Sequence, residues 1–330
     1  MQEKTYSQMR NEFQENFFNL IKPSILDFED ERKHNLIIST VLSILFVVLA
    51  IVIFSSLVLY NEIFEKIKFI PEFMGFMVLI FTMLAFNTIP YTKKCFENSV
   101  KQNIMPLVCS CFKNLEWTEG ECYDDRMFFN ANLLVNYPRY SAKYDDIFKG
   151  IHNDVYFEIA ELFWQKNGSQ FIKAREGVIV KIKMNKNFTG NTIIESKRPL
   201  TRGGIMGVIS HDYSSLYNNR KLNLAKLEDI EFNKKYDIYT NDEVEARYLI
   251  TPSFMQKLKY MKTAFRADKL RCSFYEGYLL IGLFTKKDLF SICSLFKPVD
   301  EPKQFFTMFE EILSIVKLID YFKLNLKTGL

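Results

Sequence analysis

Hydrophobic positions run unbroken through two stretches of this chain, and nothing charged interrupts either of them: Asn35 to Asn61, and Phe73 to Thr92. A bilayer core of roughly 30 Å is crossed by about 20 apolar residues in a helix, so each stretch is long enough to span. The first has no polar face, which a helix buried against a soluble core would still show on its outer side. The pattern predicts a transmembrane helical hairpin, with spans at 36–60 and 73–92 and a short external loop between them. Ser39, Thr40, Ser43, Ser55 and Ser56 in the first span, and Thr82 and Asn87 in the second, suit helix packing within the hairpin or between subunits. No ionisable side chain lies inside either span, which argues against a proton or ion path built from one hairpin.

On either side of the hairpin the period becomes helical. Residues 6–31 place Phe13, Phe17, Leu20 and Ile21 on one face, with Pro23 expected to kink or interrupt the helix. Cys95 to Leu115 repeats the pattern with Ile104, Leu107, Val108, Cys111 and Phe112, and Pro106 is read as a break. From Tyr140 the period falls to two. The segments 155–164, 170–184 and 191–196 alternate as half-buried strands do, with Gly168 and Gly190 at their turns. FNKKYDIYT at 232–240 reads as a further strand. Asp242 followed by Glu245 fits a capping box at a helix start, and Thr251-Pro252 fits an N-cap with proline at the first helical position. The segments 269–276 and 278–286 form a hairpin through Glu276-Gly277, and 303–323 is a helix with a broad apolar face.

These elements divide the chain into an N-terminal amphipathic helix (1–35), the two spans (36–92), a juxtamembrane helical linker (93–139) and an α+β domain (140–330). The fold class is therefore α+β: a transmembrane hairpin followed by a mixed domain with an antiparallel sheet and packed helices.

Charge sets the orientation. Arg32 and Lys33 precede the first span and Lys93, Lys94 and Lys101 follow the second, whereas the connector 62–72 carries only Lys66 and Lys68. The positive-inside rule places both termini and the large domain in the cytoplasm. The six cysteines lack the compact spacing of a disulfide framework, as a reducing compartment predicts. A net charge of +4 is too mild, and too dispersed, for nucleic-acid binding.

The residues offer little chemistry. Three histidines and the isolated pair Cys109/Cys111 do not make a zinc site, and no nucleophile elbow, phosphate loop or dinucleotide fingerprint occurs. Asp145 and Asp146 are adjacent carboxylates of a kind that can divide acid and base roles, although adjacent aspartates more often cap helices or face water. The glycines and arginines of Arg198–Gly207 suggest a phosphate cradle but lack its lysine and its strand-to-helix setting. No catalytic, cofactor-binding or metal-binding residue is assigned, and no cofactor.

With those residues laid out, the chain resembles a bacterial membrane-protein family known as domain of unknown function 3137. The likeness rests on Ile21-Lys-Pro-Ser-Ile-Leu through Glu31-Arg32, and on Tyr144-Asp-Asp-Ile-Phe-Lys-Gly with the following VYFEIAEL. It rests further on Leu224 to Phe232 followed by Tyr236 to Asp242, on Glu245-Ala-Arg-Tyr-Leu-Ile-Thr-Pro-Ser-Phe-Met, and on Leu324-Asn-Leu. The portions around Glu176–Ile182 and Asn187–Thr192 follow the family pattern only loosely. The resemblance implies two N-terminal spans in a bacterial inner membrane and a cytoplasmic α+β domain, with no established activity. Its motif residues here are Asp145, Phe148, Gly150, Asp242, Glu245, Arg247, Tyr248, Thr251 and Pro252, for which structural roles are expected. The expected partners are the bilayer and a protein, which could be a second copy. The leading reading is a non-enzymatic interaction or scaffold protein. The alternatives are a subunit of an oligomeric channel or transporter, and a ligand-sensing or hydrolytic domain using Arg198–Gly207 with Asp145 and Asp146.

Overall fold

The computed structural model describes residues 5–63, 69–112, 114–120, 123–134, 142–165, 173–185, 188–197, 222–287, 289–299 and 302–327. The chain forms two compact units, the first Met1–Cys111 with Ser291–Phe305, the second Phe112–Phe290 with Phe306–Leu330.

The first unit is helical. Helix α1 (Tyr6–Asn16) opens on a capping box in which Thr5 and Gln8 satisfy each other's backbone amides. A π-helical turn, Phe17–Ile21, joins it directly to α2 (Lys22–Ile63). Pro23 therefore does not end the helix. The wider turn just before it, closed by Lys22 N–H on the Phe17 carbonyl, takes up the clash a proline ring makes with the preceding turn. Phe13, Phe17 and Ile21 are buried as the apolar face predicts, but Leu20 is half exposed.

Helix α3 (Phe69–Cys109) continues through both Pro90 and Pro106, so the expected break at Pro106 does not occur. Both α2 and α3 are long and apolar enough to cross a membrane, by length and composition. They pack along a seam of small residues, with Ser39, Ala50 and Ala85 buried, Phe46 stacked on Phe81, and Ser43 Oγ donating to the Ala85 carbonyl at 3.0 Å. The remaining hydroxyls turn back onto their own helix. Thr40, Ser55, Ser56, Thr88 and Thr92 each donate to the carbonyl four residues earlier. Below the apolar run, Glu29 and Arg32 form a buried bidentate pair at 2.7 and 2.8 Å. The pair holds the returning segment through Arg32 Nη1 to the Leu295 carbonyl (3.0 Å) and Val299 N–H to Glu29 (3.0 Å). The Arg32 guanidinium lowers the Glu29 carboxyl from its ordinary range.

The second unit is a nine-stranded antiparallel sheet in the order β1-β2-β3-β4-β9-β8-β5-β7-β6. Its strands are β1 (Leu115–Glu119), β2 (Ala142–His152), β3 (Val155–Gln165), β4 (Lys173–Lys183), β5 (Thr192–Ser196), β6 (Asn223–Ala225), β7 (Tyr236–Thr240), β8 (Lys269–Tyr275) and β9 (Tyr278–Phe284). The helices of this part of the chain are α4 (Arg126–Asn130), α5 (Ile230–Lys235), α6 (Glu243–Leu249), α7 (Pro252–Ala264) and α8 (Pro302–Lys327). The β8–β9 hairpin turns at Glu276 and Gly277, both left-handed (φ 47° and 77°), as a two-residue turn requires, and it slots between β4 and β5.

Two expectations change here. Among the described residues of 93–139 the long helix ends at Cys109, and the edge strand β1 and then the short helix α4 follow. Phe232–Lys235 is not strand: Asp229 caps α5 by accepting Phe232 N–H at 2.9 Å, and the strand starts at Tyr236. The apolar face of α8 is buried through Phe309, Ile312, Ile315 and Ile319, with Phe112 against Phe309. His152 and Asn153 at the β2–β3 turn bond Asp320 of α8, and Arg266 pairs with buried Glu311 at 3.0 Å. Burial raises the Glu311 carboxyl to about 7, against the opposing pull of Arg266.

Candidate functional site

Strand β2 carries an irregularity between Tyr144 and Ile147, and this decides where its two aspartates go. Phe148 pairs with Ile159 of β3, so Asp146 and Phe148 share a face with Ile159 and Glu161. Asp146 and Glu161 are both buried, and half-buried Asp145 joins them at the irregularity. One carboxylate oxygen from each lies within 4.8 Å of the others. Trp117 Nε1–H donates to Asp146 at 2.9 Å, and Leu289 N–H to Glu161 at 3.3 Å. Chemically this is a set of hard oxygen donors, suited to Mg²⁺, Ca²⁺ or Mn²⁺ rather than to a soft metal. At an effective dielectric of about 20, two unit charges this far apart repel by roughly 3 kcal/mol, so neutralising charge stabilises the cluster.

The sequence brought Asp145 and Asp146 forward as an adjacent pair and missed Glu161. A signal was present. In VYFEIAELF, Val155, Phe157, Ile159 and Phe163 mark one face of the strand, and Glu161 occupies that face's register. The Arg198–Gly207 loop, which the hydrolytic alternative pairs with Asp145 and Asp146, lies outside the described residues.

On the other face of β3, Glu158 accepts from Tyr156 (2.8 Å) and Lys181 (3.3 Å), and Lys181 sits 5.1 Å from the Tyr278 ring centre. Tyr144 donates to Asp125 at 2.9 Å. Burial is the leading cause that pushes the Tyr144 and Tyr156 phenols up, so neither is a base at neutral pH.

The remaining motif residues gather at the α6–α7 corner. Asp242 caps α6 by accepting Glu245 N–H at 2.9 Å. Glu245 does not return the bond as a full capping box would. Its carboxylate instead accepts Thr189 N–H (2.8 Å) and Gly190 N–H (2.6 Å) from the turn before β5, and Asp242 N–H goes to Thr240 Oγ1. A Cβ at Gly190 would lie 2.3 Å from the Glu245 carboxylate and would displace it. Thr251 caps α7 through Phe254 N–H, with Pro252 at the first turn. Arg247 reaches Glu243 (3.3 Å) and the Lys226 carbonyl (3.4 Å), which draws α6 beside the end of β6. Phe148 is core, and Gly150 lets β1 approach, since a Cβ would meet Leu115 and the Asn114 carbonyl at 3.0 Å. Phe148, Gly150, Asp242, Glu245, Arg247, Thr251 and Pro252 thus each have a packing, capping or hydrogen-bonding contact, and Asp145 belongs to the acidic cluster. Tyr248 is half exposed one turn from Val244, which is 82 % exposed, on the same face of α6.

Comparison with known proteins adds little chemistry. Residues 175–324 match the model of a family described as "Protein of unknown function (DUF3137)". That interval holds Asp242, Glu245, Arg247, Tyr248, Thr251 and Pro252, whereas Asp145, Phe148 and Gly150 precede it. No curated protein matches the chain. Among solved structures, the crystal structure of the mycobacterial trehalose monomycolate transport factor A, TtfA, aligns over 62 % of this chain and 86 % of its own, at 9 % identity and a TM-score of 0.28.

Proposed function

We propose a role built on anchoring and contact: a membrane-anchored scaffold whose α+β domain binds a protein partner, in keeping with the match of residues 175–324 to a family defined by sequence and not by an activity. In this reading α2 and α3 cross a bacterial inner membrane and both termini and the domain are cytoplasmic. The lysines and arginines flanking the spans support that orientation. The observation that carries the contact role is the outward face of α6. Val244 and Tyr248 are exposed within the interval that matches the family, on the helix whose Arg247 reaches the Lys226 carbonyl just after β6, and Leu224 of β6 is also exposed. Large apolar side chains grouped on a surface mark contact sites, and tyrosine is favoured in them.

The test is a photo-crosslinking amino acid at Val244 in the full-length protein in its native membranes, with exposed Gln256 as the comparison site. A discrete adduct from position 244, absent from 256 and lost with Tyr248→Ala, is the expected result. Equal labelling at both sites, or no adduct from 244, overturns the reading. For orientation, Cys95 is exposed just beyond the second span. In a Cys122→Ser background it should react with an impermeant maleimide in inverted vesicles and not in intact spheroplasts.

A further inference from the structure

Among the described residues of the spans, Asn87 is a polar side chain that the hairpin does not absorb. Ser39 and Ser43 face the α2–α3 seam, and the outward hydroxyls satisfy their single donor on their own helix. Asn87 is different. It is exposed on α3, on the side of the helix away from the seam residue Ala85, within a stripe formed by Leu79, Met83, Phe86 and Pro90 at helical spacing. Leu79, Met83 and Phe86 are each more than two-thirds exposed. Asn87 lies five residues inside the end of the uncharged run at Thr92, about 8 Å along the helix axis. Its Nδ2 donates to the Met83 carbonyl at 2.7 Å, which uses one of two amide hydrogens. Among the described residues nothing else bonds the carboxamide. Its second N–H and its oxygen would face hydrocarbon, where an unmet polar group is costly. The same face holds a further acceptor, because Pro90 has no N–H to give the Phe86 carbonyl.

We propose that this face of α3 is a self-association surface, on which Asn87 of one copy bonds Asn87 or the Phe86 carbonyl of a second copy across a two-fold axis. The occupant follows from the chemistry. A carboxamide is donor and acceptor at once, so the same group rotated about a two-fold axis is its complement, and lipid tails offer neither function. The flanking Met83 and Phe86 supply the apolar contact around it. This inference rests on the reading of α3 as a membrane span.

The experiment is resonance energy transfer between donor- and acceptor-labelled full-length protein in liposomes, over a lipid-dilution series, with insertion checked separately by resistance to alkaline extraction. The wild type should dimerise reversibly. Asn87→Leu should weaken the dimer about 3- to 20-fold, Asn87→Gln should retain most of it, and Val41→Leu on α2 should leave it unchanged. An inserted protein that stays monomeric at every dilution, or an Asn87→Leu dimer as tight as the wild type, overturns the proposal while leaving the spanning reading intact. A protein extracted by alkali removes the premise and overturns both. Transfer retained by Asn87→Leu but lost on Val41→Leu would place the interface on α2 and refute the α3 assignment.

Discussion

The hairpin and the α+β domain use the same side chains in opposite senses. Ile44 of α2 is 58 % exposed, whereas Ile281 at the centre of β9 is 0 % exposed. Polar groups are reversed as well. In the hairpin the hydroxyls return to their own helix, one turn back, and Ser43 makes the crossing to Ala85. In the domain, Thr263 and Ser314 do the same, but other polar groups reach between elements distant in sequence: Thr192 to Thr240, Glu245 to Gly190, Arg266 to Glu311. If α2 and α3 cross a membrane as proposed, hydrocarbon requires each hydroxyl to be satisfied within the protein, and the carbonyl one turn back is the nearest acceptor. Under the proposed membrane reading the contrast reflects the medium each region meets, and exchanging matched residues between the two regions is the most direct way to break it.

The largest effect is expected from a matched pair of substitutions. Ile281→Ser removes buried methyl groups from a packed strand and leaves a hydroxyl in their place, costing about 4 kcal/mol or more and melting the domain. Ile44→Ser should cost under about 1 kcal/mol, because the new hydroxyl can bond the carbonyl of residue 40, as its neighbours do. Thermal unfolding and limited proteolysis of both variants in detergent decide it. Equal losses would mean that Ile44 is buried in the working protein.

Next in size is a pH dependence that belongs to the domain. Burial holds Glu311 at about 7 when folded, above its ordinary 4.5, so the folded state retains a proton that the unfolded state has released. The resulting stability is complete below about pH 4.5 and is lost as pH rises through about 7. It amounts to roughly 3 kcal/mol, on the order of two and a half pKa units. Glu311→Gln should flatten the stability profile between about pH 5 and 8 and should match or exceed the wild type at the upper end of that window. An unchanged slope would show that another group carries it. A smaller loss, about 2 kcal/mol, is expected from Glu245→Ala, which strips the Thr189 and Gly190 amides of their acceptor. Gly190→Ala should reproduce it by pushing the same carboxylate away. If the two losses add in the double variant, the shared contact is refuted.

What the sequence made legible follows the same division. The two long apolar helices could be read because an absence of charge over about twenty residues is a strong and local signal. So could the caps at Asp242 and Thr251 and the turn at Glu276-Gly277, each specified by residues close together in the chain. Long-range relations could not. Nothing near β8 and β9 announces that they slot between β4 and β5. The edge strand β1 is five residues long and offers too short an alternation to distinguish from the helical stretch before it. Phe232 and Tyr236 belong to both a helical and an extended pattern, and the cap at Asp229 decided for helix. The acidic cluster was half visible: adjacency showed Asp145 and Asp146, but only the register of β2 against β3 brings Glu161 to them.

The smallest effect tests the hairpin's crossing bond. Ser43→Ala deletes the hydroxyl that donates to the Ala85 carbonyl and leaves the small-residue seam otherwise filled. Ile89, one turn further along α3, still has a backbone N–H to give that carbonyl, so no buried acceptor is orphaned. The loss should therefore stay near about 0.6 kcal/mol, the average for such bonds in membrane bundles, read as a small shift in unfolding of the reconstituted protein. Ser43→Leu should cost several times more, because a side chain of that volume has to separate α2 from α3 at the seam. A Ser43→Ala loss as large as that of Ser43→Leu would mean that hydrogen bonding, and not close packing of small residues, holds the hairpin together.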